Sequence, residues 1–364
     1  MDHNLKDIFE LFQTNADFRE GHLYGNGHIH DTYFIETVQT DQDNYILQRL
    51  NNHVFKDIPK VQKNIERITQ HLREKISLLP GSDIKRECLE LIFSRDGKSW
   101  ITDREGNYWR MYIFITDNKS YDVVDTPERA YEGGKAIGRF QAMLADLPGM
   151  PLFETIPSFH DVEKRIDNLI RVLKKDPVGR ERVTERETEF ILRRSDDMRI
   201  INQLGREGKI PVRITHNDTK FNNILFDQND RSLCVIDLDT VMPGYFHSDF
   251  GDTIRTGANL ASEDEKDLSA IEMDISLFEA FASGYLSEMR DTLNNVEKEY
   301  LAFAPLLMTY EQALRFLSDY INGDTYYKIS HENHNLERAR AQIKLLERME
   351  SQFVTMQAMI RKLI

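Results

Sequence analysis

Only two cysteines, Cys88 and Cys234, occur in the 364 residues, too few and too far apart for a disulfide framework or a cysteine zinc site. Both lie in apolar, strand-like surroundings and read as buried thiols of a reducing compartment. Basic residues are the scarcer charge: 47 Lys plus Arg face 61 Asp plus Glu, a formal net charge of −14. That balance argues against nucleic acid or an anionic membrane as the main partner, because a phosphate surface demands a basic one. An anionic substrate would have to be handled locally. No apolar run is long enough to span a bilayer, and the first residues lack the basic-then-apolar pattern of a leader, so a cytoplasmic protein is expected. Internal repeats, low-complexity runs and Pro-rich linkers are absent too, which leaves an ordinary globular chain whose oligomeric state the sequence does not encode legibly.

A length of 364 residues exceeds the roughly 100–200 expected of one domain and points to two lobes around a cleft. Leu5, Ile8, Phe9, Leu11 and Phe12 have helical spacing, so a short helix is expected over 5–12. Gly21, Gly25 and Gly27 punctuate the next stretch, and the β-prone runs 32–35 and 45–47 follow as antiparallel strands carrying a glycine-rich turn. Ile58, Val61, Ile65, Ile68 and Leu72 share one face of a helix expected over 57–78. Residues 87–93, 100–102 and 108–115 are further strand candidates, the last two after the Asp96-Gly97 and Gly106-Asn107 turns. Residues 1–115 are therefore expected to form a small sheet-rich lobe. From Thr126 the period changes to helices over 127–147, 160–175, 179–203, 277–289, 295–321 and 336–363, so residues 116–364 read as a larger, mainly α lobe. Inside it lies one β-rich island, 212–214, 224–226 and 233–236.

The loops of that island hold the densest polar constellation in the chain. Thr215-His216-Asn217-Asp218-Thr219-Lys220-Phe221-Asn222-Asn223 is followed by Ile236-Asp237-Leu238-Asp239. Polar groups at strand ends are well displayed for reaction. A carboxylate that accepts a hydroxyl proton, with an amide oxygen and a second carboxylate that hold Mg²⁺ across phosphates, is the set that phosphoryl transfer needs.

His216-x-Asp218-x-x-x-x-Asn223, with Ile236-Asp237 after a hairpin, resembles the catalytic and metal-binding motifs of the aminoglycoside phosphotransferase and choline kinase superfamily, relatives of the protein kinases. The short pattern alone recurs by chance. The longer strings Asp237-Leu238-Asp239-Thr240-x-Met242-Pro243-Gly244 and Asp249-Phe250-Gly251-Asp252-x-Ile254-Arg255 are similar to one branch, the N-acetylhexosamine 1-kinases. The likeness extends from Gly25-x-Gly27-His28-Ile29 and Tyr45-Ile46-Leu47-Gln48 to Arg315-Phe316-Leu317-x-Asp319-Tyr320 and Arg340-x-Gln342-Ile343-Lys344-Leu345.

The resemblance implies an α+β, bilobal, protein kinase-like fold and ATP- and Mg²⁺-dependent phosphorylation of the anomeric hydroxyl of N-acetylglucosamine or N-acetylgalactosamine. It makes Asp218 the catalytic base and Asn223 and Asp237 the metal ligands. Gly25, Gly27, Gln48, Phe114 and Ile115 fall at ATP-binding positions, the last two at a hinge continuing into Thr116. His28, Asp218, Asp239, Arg315 and Tyr326 fall on the sugar side, with Asp239 serving either as a hydroxyl acceptor or as a supporting group. Gln48-Arg49 stands where kinase-like folds carry an ATP-binding lysine, leaving Arg49, a lysine elsewhere or Mg²⁺ to serve the α-phosphate, and Glu66 is the candidate helix partner. His30 stands where the related kinases show Asn, and His216 is expected to support the loop rather than transfer protons. By chain order, Asp249 is a cap or brace for the next helix despite its literal Asp-Phe-Gly setting, and Arg255 is expected to pair with a nearby acid. Two rival readings remain: a kinase of the same superfamily for an aminoglycoside, choline or homoserine, and a catalytically silent nucleotide-binding module.

Overall fold

The computed structural model describes residues 4–25 and 29–364. The backbone divides into two compact units, one of Met1–Asn118, Asp146–Pro157 and Leu233–Met242, the other of Lys119–Ala145, Ser158–Ser232 and Pro243–Ile364.

The first unit begins with helix α1 (Leu5–Phe9) and strands β1 (Phe18–Leu23), β2 (Asp31–Thr37) and β3 (Tyr45–Leu50). Helices α2 (Ile58–Ser77) and α3 (Ile84–Glu87) follow, then β4 (Leu91–Ile92), β5 (Ile101–Thr102) and β6 (Tyr108–Ile113). Among the described residues the strands form a six-stranded antiparallel sheet ordered β1-β2-β3-β6-β4, with β5 on the outer end of β6. Side chains alternate across a sheet, so each strand sorts its residues onto two faces. Ile35, Tyr45, Leu47, Trp109 and Met111 lie on one face and pack with Ile8, Phe9 and Phe12 into a core. The opposite face carries two rows in register, Phe34–Ile46–Tyr112 and Thr32–Gln48–Arg110. The second row is polar and central, and Arg110 within it is 1% exposed.

Helix α2 is capped by the Asp57 side chain and buries Val61, Ile65, Ile68 and Leu72 along one stripe. Asn64, also buried, exchanges two hydrogen bonds with the backbone of Phe153 (2.8 and 3.0 Å) and donates to the Val241 carbonyl at 3.3 Å. It thereby ties α2 to the turn that follows Asp237.

The second unit contains α4 (Pro127–Leu144), α5 (Val162–Lys175), α6 (Glu185–Met198), α7 (Ile200–Arg206) and the short strands β7 (Arg213–Thr215) and β8 (Ile224–Phe226). The strands β9 (Ser232–Val235) and β10 (Met242–Gly244) run across its borders, and α8 (His247–Gly257), α9 (Ile275–Met289), α10 (Asn295–Tyr300), α11 (Ala304–Ile321) and α12 (His334–Leu363) complete it. Helices α4 and α9 touch backbone to backbone. A Cβ on Gly134 would lie 2.1 Å from the Phe281 carbonyl oxygen, and one on Gly284 only 1.9 Å from that of Tyr131. Helix α11 is buried along most of its length and packs against α12, α8 and α5.

Several expected elements are rearranged. The strand expected over 87–93 is shortened to Leu91–Ile92, its first residue, Glu87, closing the helical turn α3. Asp83 accepts from the Lys85 N–H at 3.2 Å and starts that turn. The helix expected over 179–203 is a 3₁₀ turn (Glu181–Thr184), α6 and α7. The one expected over 295–321 breaks at a 3₁₀ turn (Leu301–Phe303), and Pro305 stands in the first turn of α11, where its missing N–H costs nothing. Strand β1 absorbs Gly21, which had read as punctuation. Its absent side chain makes room, since a Cβ there would meet both Ile35 and Leu5 at 2.8 Å. Among the described residues no helix is long and apolar enough to cross a membrane. Both cysteines are free and buried, and burial pushes the Cys88 thiol up to about 12, which keeps it unreactive near neutral pH.

Candidate active site

In the second unit, β7 delivers the chain into the loop Thr215–Asn223, whose conformation is set by buried partners as well as by its own hydrogen bonds. Asp249, in the first turn of α8, is fully buried and accepts the His216 N–H at 2.8 Å and the Asn217 N–H at 2.7 Å. Gln141 of α4 donates to the same carboxylate at 2.6 Å and is itself held by the Tyr285 hydroxyl at 2.6 Å. Burial raises the Asp249 carboxyl above its ordinary value, and the neighbouring His216 and these donors work against that rise. Asp249 is thus a brace of this loop, not the cap of α8.

Asn217 adopts a left-handed backbone, φ 66°, which costs about 1–2 kcal/mol for a residue with a Cβ. Its side chain holds it there by bonding Thr215 (2.9 and 3.0 Å) and accepting from the Ser248 hydroxyl at 3.1 Å. Its carbonyl accepts from His160 Nε2 at 2.9 Å, while His160 Nδ1 lies 2.9 Å from a Glu311 carboxylate oxygen. Both ring nitrogens face acceptors, so the ring must carry both protons to satisfy the two contacts. Burial opposes that charge, but Glu311 outweighs it and the His160 pKa is raised, while that of Glu311 is lowered despite burial by the same partner.

The signs fix a pH window. A raised histidine value contributes stability that is complete below the unfolded pKa of about 6.5 and is lost as pH climbs through the folded value. The lowered Glu311 contributes above its ordinary value and loses this as pH falls through the depressed one. His160→Asn is expected to cost about 1.5–3 kcal/mol near pH 6, the range for a charge-assisted hydrogen bond. Thermal unfolding of both proteins from pH 6 to 9 should show the gap narrowing with rising pH; a gap independent of pH would refute an imidazolium at this position.

Asp218, next in the chain, keeps its carboxylate partly open. Its side chain is 30% exposed, with Lys220 Nζ 3.6 Å from Oδ1. Asp218 raises the Lys220 pKa, so a fixed cation stands beside the carboxylate. Asn223 donates from Nδ2 to the Asp218 carbonyl at 2.9 Å, which turns its Oδ1 outward from that contact. His216 is fully buried and receives the Asp218 N–H on Nδ1 at 3.3 Å, the supporting role expected of it.

The same unit gathers a second group around Arg315. The guanidinium lies 5.1 Å from the Phe159 ring and 5.6 Å from that of Tyr327, and donates to Gln312 at 3.2 Å. Arg165 lies close enough to depress its own pKa against Arg315, after the larger effect of burial. The buried carboxylate of Glu311 pairs with His160 and also feels the charges of Arg315 and Arg165. Tyr326 stands edge-on to Tyr327 at 4.8 Å and is 61% exposed. The loop that carries both tyrosines is folded around Asp319, whose carboxylate accepts the N–H groups of Thr325, Tyr326 and Tyr327, each at 2.9 Å. Arg255 pairs with Asp252 (2.8 Å) and Glu263 (2.7 Å).

In the first unit, Asp237 occupies a left-handed backbone (φ 61°, ψ 58°) and opens the 3₁₀ turn Leu238–Thr240. Asp239 in that turn is 2% exposed, and both its oxygens receive the Arg110 guanidinium, at 2.7 and 2.5 Å. His30 approaches one of them at 3.4 Å. Burial alone would raise the Asp239 pKa; Arg110 and His30 reverse this and hold it far below the carboxylate range. Gln48 accepts from Arg110 Nε at 2.9 Å and donates to the Thr32 hydroxyl at 3.0 Å. Arg49 lies on the other face of the sheet and bonds Asp31 at 2.7 Å, which removes it from the row that Gln48 occupies. Glu66 is engaged with Lys63 at the surface of α2. The Phe114 ring meets Phe34 at 4.9 Å and Tyr24 at 5.8 Å, and its N–H is spent on the Asn44 carbonyl. The Ile115 carbonyl accepts from Asn118 at 2.5 Å. Gly25 is exposed with φ 73°, a conformation suited to glycine, whereas Gly27 and His28 lie outside the described residues.

A family model described as the phosphotransferase enzyme family matches residues 20–290. The chain belongs to that family. The phosphotransferase is similar in structure to an aminoglycoside phosphotransferase from Alicyclobacillus acidocaldarius subsp. acidocaldarius DSM 446, with TM-score 0.63, 11% identity, and 97% of this chain and 95% of that one covered. A choline kinase from Cryptosporidium parvum Iowa II matches with TM-score 0.57 and 15% identity over 93% of this chain and 91% of that one. An ADP-bound aminoglycoside phosphotransferase gives TM-score 0.51 and 13% identity over 90% and 95%. At such identities the likeness establishes the fold, which is protein kinase-like with an antiparallel N-terminal sheet and a helical C-terminal part.

Within the phosphotransferase, sequence reasoning named Asp218, Asn223, Asp237, Asp239, Arg315 and Tyr326 but overlooked Arg110, His160, Arg165, Glu311 and the part played by Lys220. A charged residue at the centre of the β-prone run Tyr108–Ile113 was the available signal for Arg110. Lys220 stood in the quoted motif itself.

Proposed function

We propose that the chain is an ATP- and Mg²⁺-dependent kinase that phosphorylates the anomeric hydroxyl of an N-acetylhexosamine, with Asp218 as base. The observation that carries this reading is the partly open Asp218 carboxylate, beside Lys220 and Asn223, in a loop fixed by Asp249 and His160. Asp218 would accept the hydroxyl proton as the sugar oxygen bonds to the γ-phosphorus and the bond to the ADP oxygen breaks. Lys220 would offset charge on the phosphoryl oxygens. Asn223 and Asp237 offer amide and carboxylate oxygens, the hard donors that suit Mg²⁺ and leave its remaining positions to phosphate and water. When bound, the ion would neutralise the phosphates that a −14 protein otherwise repels. The aromatic group Tyr24, Phe34 and Phe114 suits an adenine ring, Gly25 and Gly27 would allow close backbone approach to phosphate, and Ile115 belongs to the same nucleotide side.

On the acceptor side we assign Arg315, Tyr326 and His28. The presence of Arg165 and Arg315 near Glu311 favours a neutral acceptor over a cationic aminoglycoside or choline, which fixed positive charge would repel. A planar donor fork between aromatic faces suits hydroxyl and acetamido groups. The nucleotide side falls on the lobe expected over 1–115 and the base and, apart from His28, the acceptor side on that expected over 116–364, whereas Asp237 belongs to the first structural unit. The test is a panel of sugars and amino alcohols with Mg-ATP, the phosphate position being determined by NMR. The expected product is the sugar 1-phosphate; phosphorylation of an amino alcohol alone would sink the assignment, and nucleotide binding without any acceptor-dependent ADP release would favour a silent module.

A further inference from the structure

The first unit carries two arginines at neighbouring positions of the β3–β6 ladder, and they serve opposite faces. Arg49 shares its face with the α1 core and is spent on Asp31. Arg110 shares its face with Gln48 and reaches the turn that begins at Asp237. Across that face runs an unbroken chain of contacts: Thr32 hydroxyl, Gln48 amide, Arg110 guanidinium and Asp239 carboxylate, at 3.0, 2.9 and 2.7 Å. A bidentate guanidinium contact fixes a carboxylate in orientation as well as position. Because Asp239 is two residues beyond Asp237, fixing it fixes the intervening backbone, including the left-handed Asp237. Asn64 secures the far end of the same turn through the Val241 carbonyl.

We propose that Arg110 is a positioning residue for the divalent cation, acting through Asp239 to hold Asp237 in its metal-binding conformation. This rests on the reading of Asp237 as a metal ligand. The Thr32–Gln48–Arg110 row thereby answers the lack of a lysine at Gln48: the cation has moved one strand over and grips the metal-binding turn, with the glutamine aligning it. Lysine cannot substitute, since it offers a point charge and not a fork.

The test uses the double variant Arg110→Met with Asp239→Leu, which removes the buried pair together and so leaves neither charge stranded. Mn²⁺ is titrated by EPR in the presence of a non-hydrolysable ATP analogue, and unfolding is followed in parallel. The expected result is a folded protein whose Mn²⁺ affinity falls about 10–100-fold, the range for losing a group that orients a metal ligand. Should the double variant not fold, Arg110→Lys is read against the same range. A folded variant that binds Mn²⁺ within about twofold of the parent overturns the proposal, since a merely structural pair would leave the metal untouched. Asp237→Asn, run alongside, separates the two layers: if it too binds Mn²⁺ normally, the metal reading of Asp237 fails and the proposal falls with it.

Discussion

Asp218→Asn is expected to reduce kcat by about 10²–10⁴-fold, the usual worth of a positioned proton acceptor, while nucleotide affinity stays near that of the parent. The amide is nearly the same shape and can still accept a hydrogen bond from the acceptor hydroxyl, but it cannot take the proton. Stability should change little. The Asp218 side chain is 30% exposed and pairs with Lys220, whereas the loop is held through its backbone by Asp249 and His160. Acceptor-dependent ADP release measures turnover and calorimetric titration of ADP measures binding. Near-normal turnover in a folded variant would remove Asp218 from the base's role.

Asp249→Asn tests the other aspartate that the sequence offers in an Asp-Phe-Gly setting. Its carboxylate accepts from two backbone N–H groups and from Gln141. An amide at this place retains one acceptor oxygen and turns an NH₂ group toward another donor, so at least one buried donor loses its partner. Each such loss costs about 1–3 kcal/mol. The variant should therefore unfold at a clearly lower temperature and lose turnover as the His216–Asn217 backbone relaxes, while the Mg²⁺ dependence of whatever activity survives stays as in the parent. Asp237→Asn should do the reverse, with native-like unfolding and a large rise in the Mg²⁺ concentration needed. If Asp249→Asn unfolds like the parent and instead raises the Mg²⁺ requirement, the two aspartates have been assigned the wrong way round.

What could be seen in the sequence was local. The family resemblance carried by one loop motif singled out Asp218 and Asn223, alternation yielded β2, β3 and β6, and the change to helical period separated a sheet-rich stretch from a mainly α one. The partners that shape the site are distant in the chain: His160 meets Asn217 across 57 positions, and Arg110 meets Gln48 across 62 and Asp239 across 129. No periodicity reports such a contact, because it is created by which strands pair and which helices cross. Two misses were different in kind. Pro305 marked the start of α11, and Asp83 marked a capped turn where the apolar residues that follow suggested a strand. These were readable signals that a strong hydrophobic pattern concealed.

The two faces of β3 also bear on how this enzyme family could change its sequence. Gln48 and Arg49 are adjacent letters, yet one shares its face with Arg110 and the other with the core residues Tyr45 and Leu47. Substitutions in Tyr45–Leu50 can therefore be tested one at a time, but losing a single residue ahead of Gln48 would invert the parity of the whole strand. The guanidinium of Arg49 would then sit in the row beside Arg110, two like charges in neighbouring positions, while Leu47 left the core. Length, in this strand, is under tighter constraint than identity.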